Sequence, residues 1–191
     1  ETPGYSVANV ENKLGQKASD TCSLNFDDMA VTDDMILGQV GGGYKMALSN
    51  LETGRIGIAA QSVGMARAAL DLAVEYANER ETFGKKIINH QAVGFRLADL
   101  ETKLEAARLM TLNAASLRDQ KIPCLKEAAM AKLFASEVAE EICSGAIQTL
   151  GGYGYLNDFP LEQIYRDVRV CQIYEGTSDI QRMIIARELM E

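Results

Sequence analysis

The carboxylate of Glu175 has a setting that suits proton abstraction. It stands in the run Tyr174-Glu175-Gly176-Thr177-Ser178, beside a glycine that permits close approach, and an amphipathic stretch from Asp179 to Met190 follows at once. A helix entrance stabilises a carboxylate as an anion, whereas taking a proton from carbon is favoured by desolvation. The two effects compete, and taken alone a glutamate at a helix entrance is more often structural than catalytic.

Three other segments carry groups that could bind a ligand. Arg80-Glu81-Thr82-Phe83-Gly84-Lys85 combines a guanidinium, a hydroxyl, an aromatic ring and a glycine, a set that can grip a pyrophosphate and pack a flat ring. Locally it reads more readily as a helix C-terminus with a favourable cation and a turn glycine. Gln148 to Tyr155 holds Gly151, Gly152 and Gly154, which permit backbone approach to a ligand. No strand precedes this run, so it is not a dinucleotide fingerprint, and a glycine helix cap is its plainer reading. Glu52-Thr53-Gly54-Arg55 lies inside a helical pattern, with Tyr44 further upstream. Gly54 there costs up to ~1 kcal/mol relative to alanine, which is explained by close approach of a ligand or of another helix.

The elements that must position these groups change character near residue 37. Before it, Tyr5-Ser6-Val7, Cys22–Phe26 and Met29-Ala30-Val31 are β-prone and separated by polar turns. Two or three such strands form no stable sheet alone, so they are expected to belong to a larger β-structure. After it the chain is helical. One helix is expected from Gly41-Gly42-Gly43 to about Arg80, burying Ile56, Ala59, Ala60, Val63, Ala66, Leu70, Ala73 and Ala77. A connector over 81–89 leads to a second helix, whose Val93, Leu97, Leu100, Leu104, Ala107 and Thr111 follow a 4-3-4-3-4 spacing. A third helix is expected from Pro123 to Gly151, with Ala131, Ala135, Val138, Ile142 and Ala146 on one face. A short fourth runs over Leu161–Val170 and a fifth from about Thr177 onward. Long helices with short links imply an up-down bundle. The expected division is 1–36, the end of a β-domain, and 37–191, a helical bundle.

Composition narrows the partners. The chain has 191 residues, 47% hydrophobic and 24% charged, with a net charge of −8. That charge disfavours nucleic acid or an anionic membrane as the main partner. No apolar run reaches the roughly 18 residues of a membrane span. The N-terminus is neither a signal nor a transit peptide, lacks Met and starts in a strand-like region, so a longer parent protein is expected. Cys22, Cys124, Cys143 and Cys171 are scattered and His90 is the only histidine, so no metal site is expected and the cysteines read as reduced thiols.

Arg80 to Lys85, Gln148 to Gly154 and Ile173 to Ser178 occur together in one order and spacing. On these three segments the chain resembles the C-terminal half of the acyl-CoA dehydrogenases, over essentially its whole length. The resemblance implies a mainly α fold: a C-terminal up-down four-helix bundle preceded by a few strands left from a middle β-domain. It implies a flavoenzyme that converts an acyl-CoA to the trans-2-enoyl-CoA, with FAD as cofactor. Glu175 matches the base that takes the α-proton while the β-hydrogen leaves as hydride to flavin N5. Arg80, Phe83 and Gln91 match residues that hold FAD, commonly that of a neighbouring subunit, and Thr82 is a further cofactor contact. Gln148, Gly151, Gly152, Thr177 and Asp179 match further flavin contacts, though several members have Gln where Asp179 stands. Tyr44, Glu52, Thr53, Gly54, Arg55 and Gly176 match acyl-CoA contacts, Arg55 being the expected polar anchor.

Some members carry the base on the first bundle helix instead. That position is Gly54 here, which points to the short-chain or short-branched-chain type. The resemblance further implies a homotetramer built as a dimer of dimers, electron-transfer flavoprotein as electron acceptor, and a cytoplasmic location in bacteria or the mitochondrial matrix in eukaryotes. Two alternatives stand beside this reading: an acyl-CoA oxidase of the same fold, and a helical assembly module without catalysis. The 191-residue chain alone is expected to retain FAD poorly.

Overall fold

A computed structural model describes residues 2–190. Strands β1 (Tyr5–Val10) and β2 (Cys22–Phe26) form an antiparallel hairpin, with Tyr5 opposite Phe26 and Val7 opposite Leu24. Val7, Val10, Leu24 and Phe26 remain exposed on it. Met29-Ala30-Val31, expected as a strand, is irregular. Met29 instead packs its backbone against Gly4, closing the base of the hairpin.

Helix α1 (Gly43–Glu79) spans about 55 Å at 1.5 Å per residue. Its alanines Ala59, Ala66, Ala69, Ala73 and Ala77, together with Leu70, are buried and allow close approach of neighbouring helices. Ile56 and Val63 are only partly buried and Ala60 is exposed, because Ala60 falls one position past the stripe through Ala59 and Ala66.

The connector contains an unforeseen miniature hairpin, β3 (Glu81–Thr82) with β4 (Lys85–Lys86). Phe83 and Gly84 have φ of 51° and 76°, the two left-handed positions of a tight hairpin turn.

Helix α2 (Gln91–Asp119) buries Leu97, Leu100, Leu104, Ala107 and Thr111 in the expected spacing. Helix α3 (Leu125–Leu150) starts two residues after Pro123, since Cys124 is the N-terminal cap residue. It buries Ala131, Ala135, Val138, Ile142 and Ala146 as expected, and packs against α1, α2, α4 and α5. Gly151, at φ 61°, ends it. The fourth helix, α4 (Leu161–Val168), is shorter than expected because the chain tightens into a 3-10 turn over Arg169–Gln172. Helix α5 (Ser178–Glu188) lies along α3. The main core joins α1, α2, α3 and α4 through Leu70, Leu97, Leu104, Ile142 and Leu161.

Candidate active site

Glu175 sits on the loop between the 3-10 turn and α5. Its φ is 55° and that of Gly176 is 87°, so two successive residues adopt the left-handed conformation. For a residue with a Cβ this is disfavoured and needs support from its surroundings. Thr177 caps α5, its hydroxyl accepting the Ile180 N–H at 3.4 Å. Gln181, fully buried on α5, donates to the carbonyls of Glu175 at 3.0 Å and Gly176 at 2.8 Å. Lys132, fully buried on α3, donates to the same Gly176 carbonyl at 2.8 Å. Tyr174 donates to Gln61 on α1 at 2.8 Å. Burial pushes the Tyr174 hydroxyl pKa well up; its contact with Cys171 adds to this and Gln61 opposes it.

Facing the loop is Gly54 of α1. A Cβ built there would lie 2.8 Å from Glu175 Cδ and closer still to Oε2. The next residue, Arg55, is 6% exposed. Burial lowers its pKa, while Glu175 and Glu52 pull it back up. Among the described residues, four buried side-chain atoms have no hydrogen-bond partner: Arg55 Nε, Glu175 Oε2, Ser178 Oγ and Gln181 Oε1. All belong to this loop, the first turns of α5, or the α1 residue beside Gly54. Unsatisfied buried polar atoms are uncommon and costly. Here they converge on one place, as they would where a polar ligand completes them.

Other expected substrate contacts lie further off. Tyr44 is exposed about 16 Å from Arg55 along the α1 axis, and Thr53 is exposed. Glu52 pairs with Arg118 at 3.2 Å and accepts a weak contact from Cys124 Sγ at 3.7 Å.

A cleft of 620 Å³ lies between the miniature hairpin and the end of α3. Arg80, Thr82, Gly151 and Gly152 line it together, with His90 and Thr149. Tyr76 and Tyr153 form an edge-on aromatic pair in its wall, centroids 6.2 Å apart. Thr82 Oγ1 lies 3.2 Å from His90 Nε2, which ties the hairpin to the start of α2. The structure separates the remaining expected cofactor residues from this cleft. Phe83 is 97% exposed at the hairpin tip, and Gln91 is exposed at the first turn of α2. Gln148 lines a different groove with Tyr155, Tyr165 and Arg166, because it projects from the opposite side of α3 to Thr149 and Leu150. Asp179 is exposed in the first turn of α5, 3.6 Å from Arg182, while Thr177 is on the Glu175 loop.

Sequence reasoning overlooked Lys132 and Gln181. Lys132 carried a signal: it occupies the buried stripe of α3 between Ala128 and Ala135, where an apolar residue is the rule. Gln181 carried none, since its burial on α5 appears only in three dimensions.

The C-terminal domain of acyl-CoA dehydrogenase matches residues 41–190. The mitochondrial short-chain specific acyl-CoA dehydrogenase of Bos taurus is 51% identical over 190 residues, covering 100% of this chain and 46% of that protein. The CarC subunit of the caffeyl-CoA reductase–Etf complex of Acetobacterium woodii is 46% identical over 191 residues, covering 100% and 50%. The structure of butyryl-CoA dehydrogenase from Megasphaera elsdenii superposes with a TM-score of 0.97 at 41% identity, over 100% of this chain and 50% of that one. The chain thus spans about half the length of the curated relatives it matches.

Proposed function

The chain belongs to the acyl-CoA dehydrogenase family, and from that premise we propose that it supplies the base and part of the flavin site for α,β-dehydrogenation of a short or short-branched acyl-CoA. The observation that carries this reading is Oε2 of the half-buried Glu175, an oxygen that is itself buried and unpartnered, opposite Gly54. A carboxylate without hydrogen-bond donors on one oxygen is free to accept a proton from carbon, and its burial withholds competing water. The position on α1 where other members of the family place their base is a glycine, so Glu175 has no rival there.

In this reading Glu175 takes the α-proton of the bound thioester. Arg55, buried beside it with an unpartnered Nε, anchors a polar group of the acyl-CoA. Gly176, at φ 87°, lets the chain turn beside the base and packs against Gln181 and Ile180, and Gly54 of α1 lies on the other side of the carboxylate.

The residues fit FAD. The cleft offers a guanidinium, a hydroxyl, an imidazole and glycine backbone together, which suits a pyrophosphate, and its wall is aromatic. Ser178 Oγ is a buried hydroxyl still lacking a partner at the base loop. Arg80, Thr82, Gly151 and Gly152 would hold the cofactor in the cleft; Thr177 and Asp179 would meet it at the base loop. When bound, FAD supplies the acceptor for the β-hydrogen, which leaves as hydride.

Phe83, Gln91 and Gln148 face outward, which supports their reaching the flavin of a neighbouring copy in a homotetramer. Electrons then pass to an electron-transferring flavoprotein, a reading favoured by the Etf complex in the name of the A. woodii relative. The division into 1–36, the end of a β-domain, and 37–191, the bundle, belongs to the same proposal.

The test is anaerobic flavin bleaching by butyryl-CoA or 2-methylbutyryl-CoA in the full-length, FAD-loaded protein. Bleaching is expected with wild type and is expected to slow by about 10²–10⁴-fold with Glu175→Gln, the range a general base contributes. An unchanged rate in that variant sinks the mechanism. Stoichiometric hydrogen peroxide on turnover in air would assign an oxidase instead.

A further inference from the structure

Lys132 takes no part in the chemistry above, yet it reaches the loop that carries the base. Its side chain is fully buried on the inward stripe of α3. Of the three donors of an ammonium, one hydrogen bond is made among the described residues, to the Gly176 carbonyl at 2.8 Å. Gln181 donates to the same oxygen at 2.8 Å and to the Glu175 carbonyl at 3.0 Å. The loop is therefore pinned from two helices at once.

The pinning has an evident object. Glu175 and Gly176 both hold left-handed backbone angles, and for Glu175 that conformation reverts unless its neighbours enforce it. Gln181 alone would satisfy the carbonyls without burying a charge. A buried charge without a paired carboxylate is a poor way to stabilise a fold, and an apolar residue of similar size would serve stability as well or better.

We propose that Lys132 is a positioning residue for Glu175: its ammonium clamps the Gly176 carbonyl and holds the base loop in the left-handed turn that presents the carboxylate to substrate. The inference rests on Glu175 being the base. Four groups of the protein act on the ammonium: Cys171 from the 3-10 turn, Arg55 from α1, Glu175 from the loop and Glu137 from α3 itself. Burial is the dominant influence and lowers the Lys132 pKa to about 8; Arg55 adds to that, and Cys171, Glu175 and Glu137 oppose it. The charged clamp therefore weakens just above neutral pH.

The experiment compares Lys132→Met with wild type in the full-length, FAD-loaded protein. Turnover is expected to fall about 10–100-fold with KM within about twofold, the mark of a misplaced group rather than lost binding. Amide exchange of Tyr174, Ile180 and Gln181, bonded at the two ends of the loop, is expected to quicken about tenfold, while α1, α2 and α3 stay protected and the melting temperature does not drop. Unchanged turnover in a folded variant overturns the proposal, as does a loss that tracks exchange throughout the bundle.

Wild type gives a second measurement that does not depend on the variant folding. Protection of the Tyr174, Ile180 and Gln181 amides, which are hydrogen-bonded at the two ends of the loop, should decline through about pH 8 after correction for intrinsic exchange, because a charged donor bonds roughly twice as strongly as a neutral one. Flat protection from pH 7 to 9.5 overturns the clamp. Glu175→Gln separates the two readings: full turnover in that variant refutes the base, whereas the exchange measurement judges the clamp whichever residue is the base.

Discussion

Gly54 and Glu175 occupy each other's space: a Cβ on Gly54 would lie 2.8 Å from the Glu175 carboxyl carbon. The glycine inside α1 is thus explained by the Glu175 loop packed against it. Gly54→Ala should separate stability from activity. Alanine is favoured over glycine in a helix by ~1 kcal/mol, so α1 itself gains. The carboxylate must move, and a displacement of an ångström or so at a reacting group slows chemistry by about 10²-fold. Single-turnover flavin bleaching should slow by that order while the melting temperature stays level or rises. A variant with normal bleaching would show that the carboxylate does not react from this position.

Arg80 and Phe83 lie three residues apart but should behave differently. Arg80 lines the cleft, so Arg80→Ala should weaken FAD binding by about tenfold or more, as loss of a charge-assisted contact would. Phe83 is 97% exposed and its ring stands edge-on to His90, centroids 6.1 Å apart. Phe83→Ala should leave the unfolding free energy of the isolated chain within about 0.5 kcal/mol of wild type. It should nonetheless lower FAD retention in the assembled protein, read by flavin absorbance after gel filtration at micromolar and nanomolar concentration. Equal retention at both would remove the neighbouring-copy reading.

The helices were legible in the sequence because their periodicity is repeated over many turns. The spacing of Leu97, Leu100, Leu104 and Ala107 predicts the buried face of α2, and these residues are buried. Met29-Ala30-Val31 misled because three β-prone residues carry no period and the adjoining Gly4 captured their backbone. Glu175 could be singled out by its setting, yet its opposition to Gly54 spans 121 positions and appears only in three dimensions. Lys132 was visible as a charge on an apolar stripe, but which atom it served depended on how the Glu175 loop folds back onto α3.

The four thiols should divide by accessibility. All are free, with Cys124, Cys143 and Cys171 buried and Cys22 at the edge of the hairpin partly exposed. Burial pushes the Cys143 thiol up to about 12. Burial also raises Cys124, with Glu52 adding to the effect. A thiolate-directed reagent at pH 8 should therefore label one cysteine quickly in the native protein, mapped by mass spectrometry to Cys22, and the other three only after denaturation. Rapid labelling of Cys143 would contradict the packing of α3 against its neighbours.

Lys132 gives the stability of the protein a pH dependence whose sign can be worked out. Its folded pKa, about 8, lies below the ordinary lysine value of 10.5. Between those values the unfolded chain binds more protons than the native one, so stability from this group rises with pH. Below pH 8 the native state carries the whole penalty of the buried charge, roughly 3 kcal/mol at 1.36 kcal/mol per pKa unit. Lys132→Met removes the penalty and also the bond to Gly176, whose carbonyl keeps Gln181. Its advantage over wild type in urea unfolding should accordingly be greatest near pH 7 and shrink steadily as pH rises from 8 toward 10.5. A difference that is constant across this range, or that widens with pH, would mean that Lys132 is not buried as a cation in the folded protein.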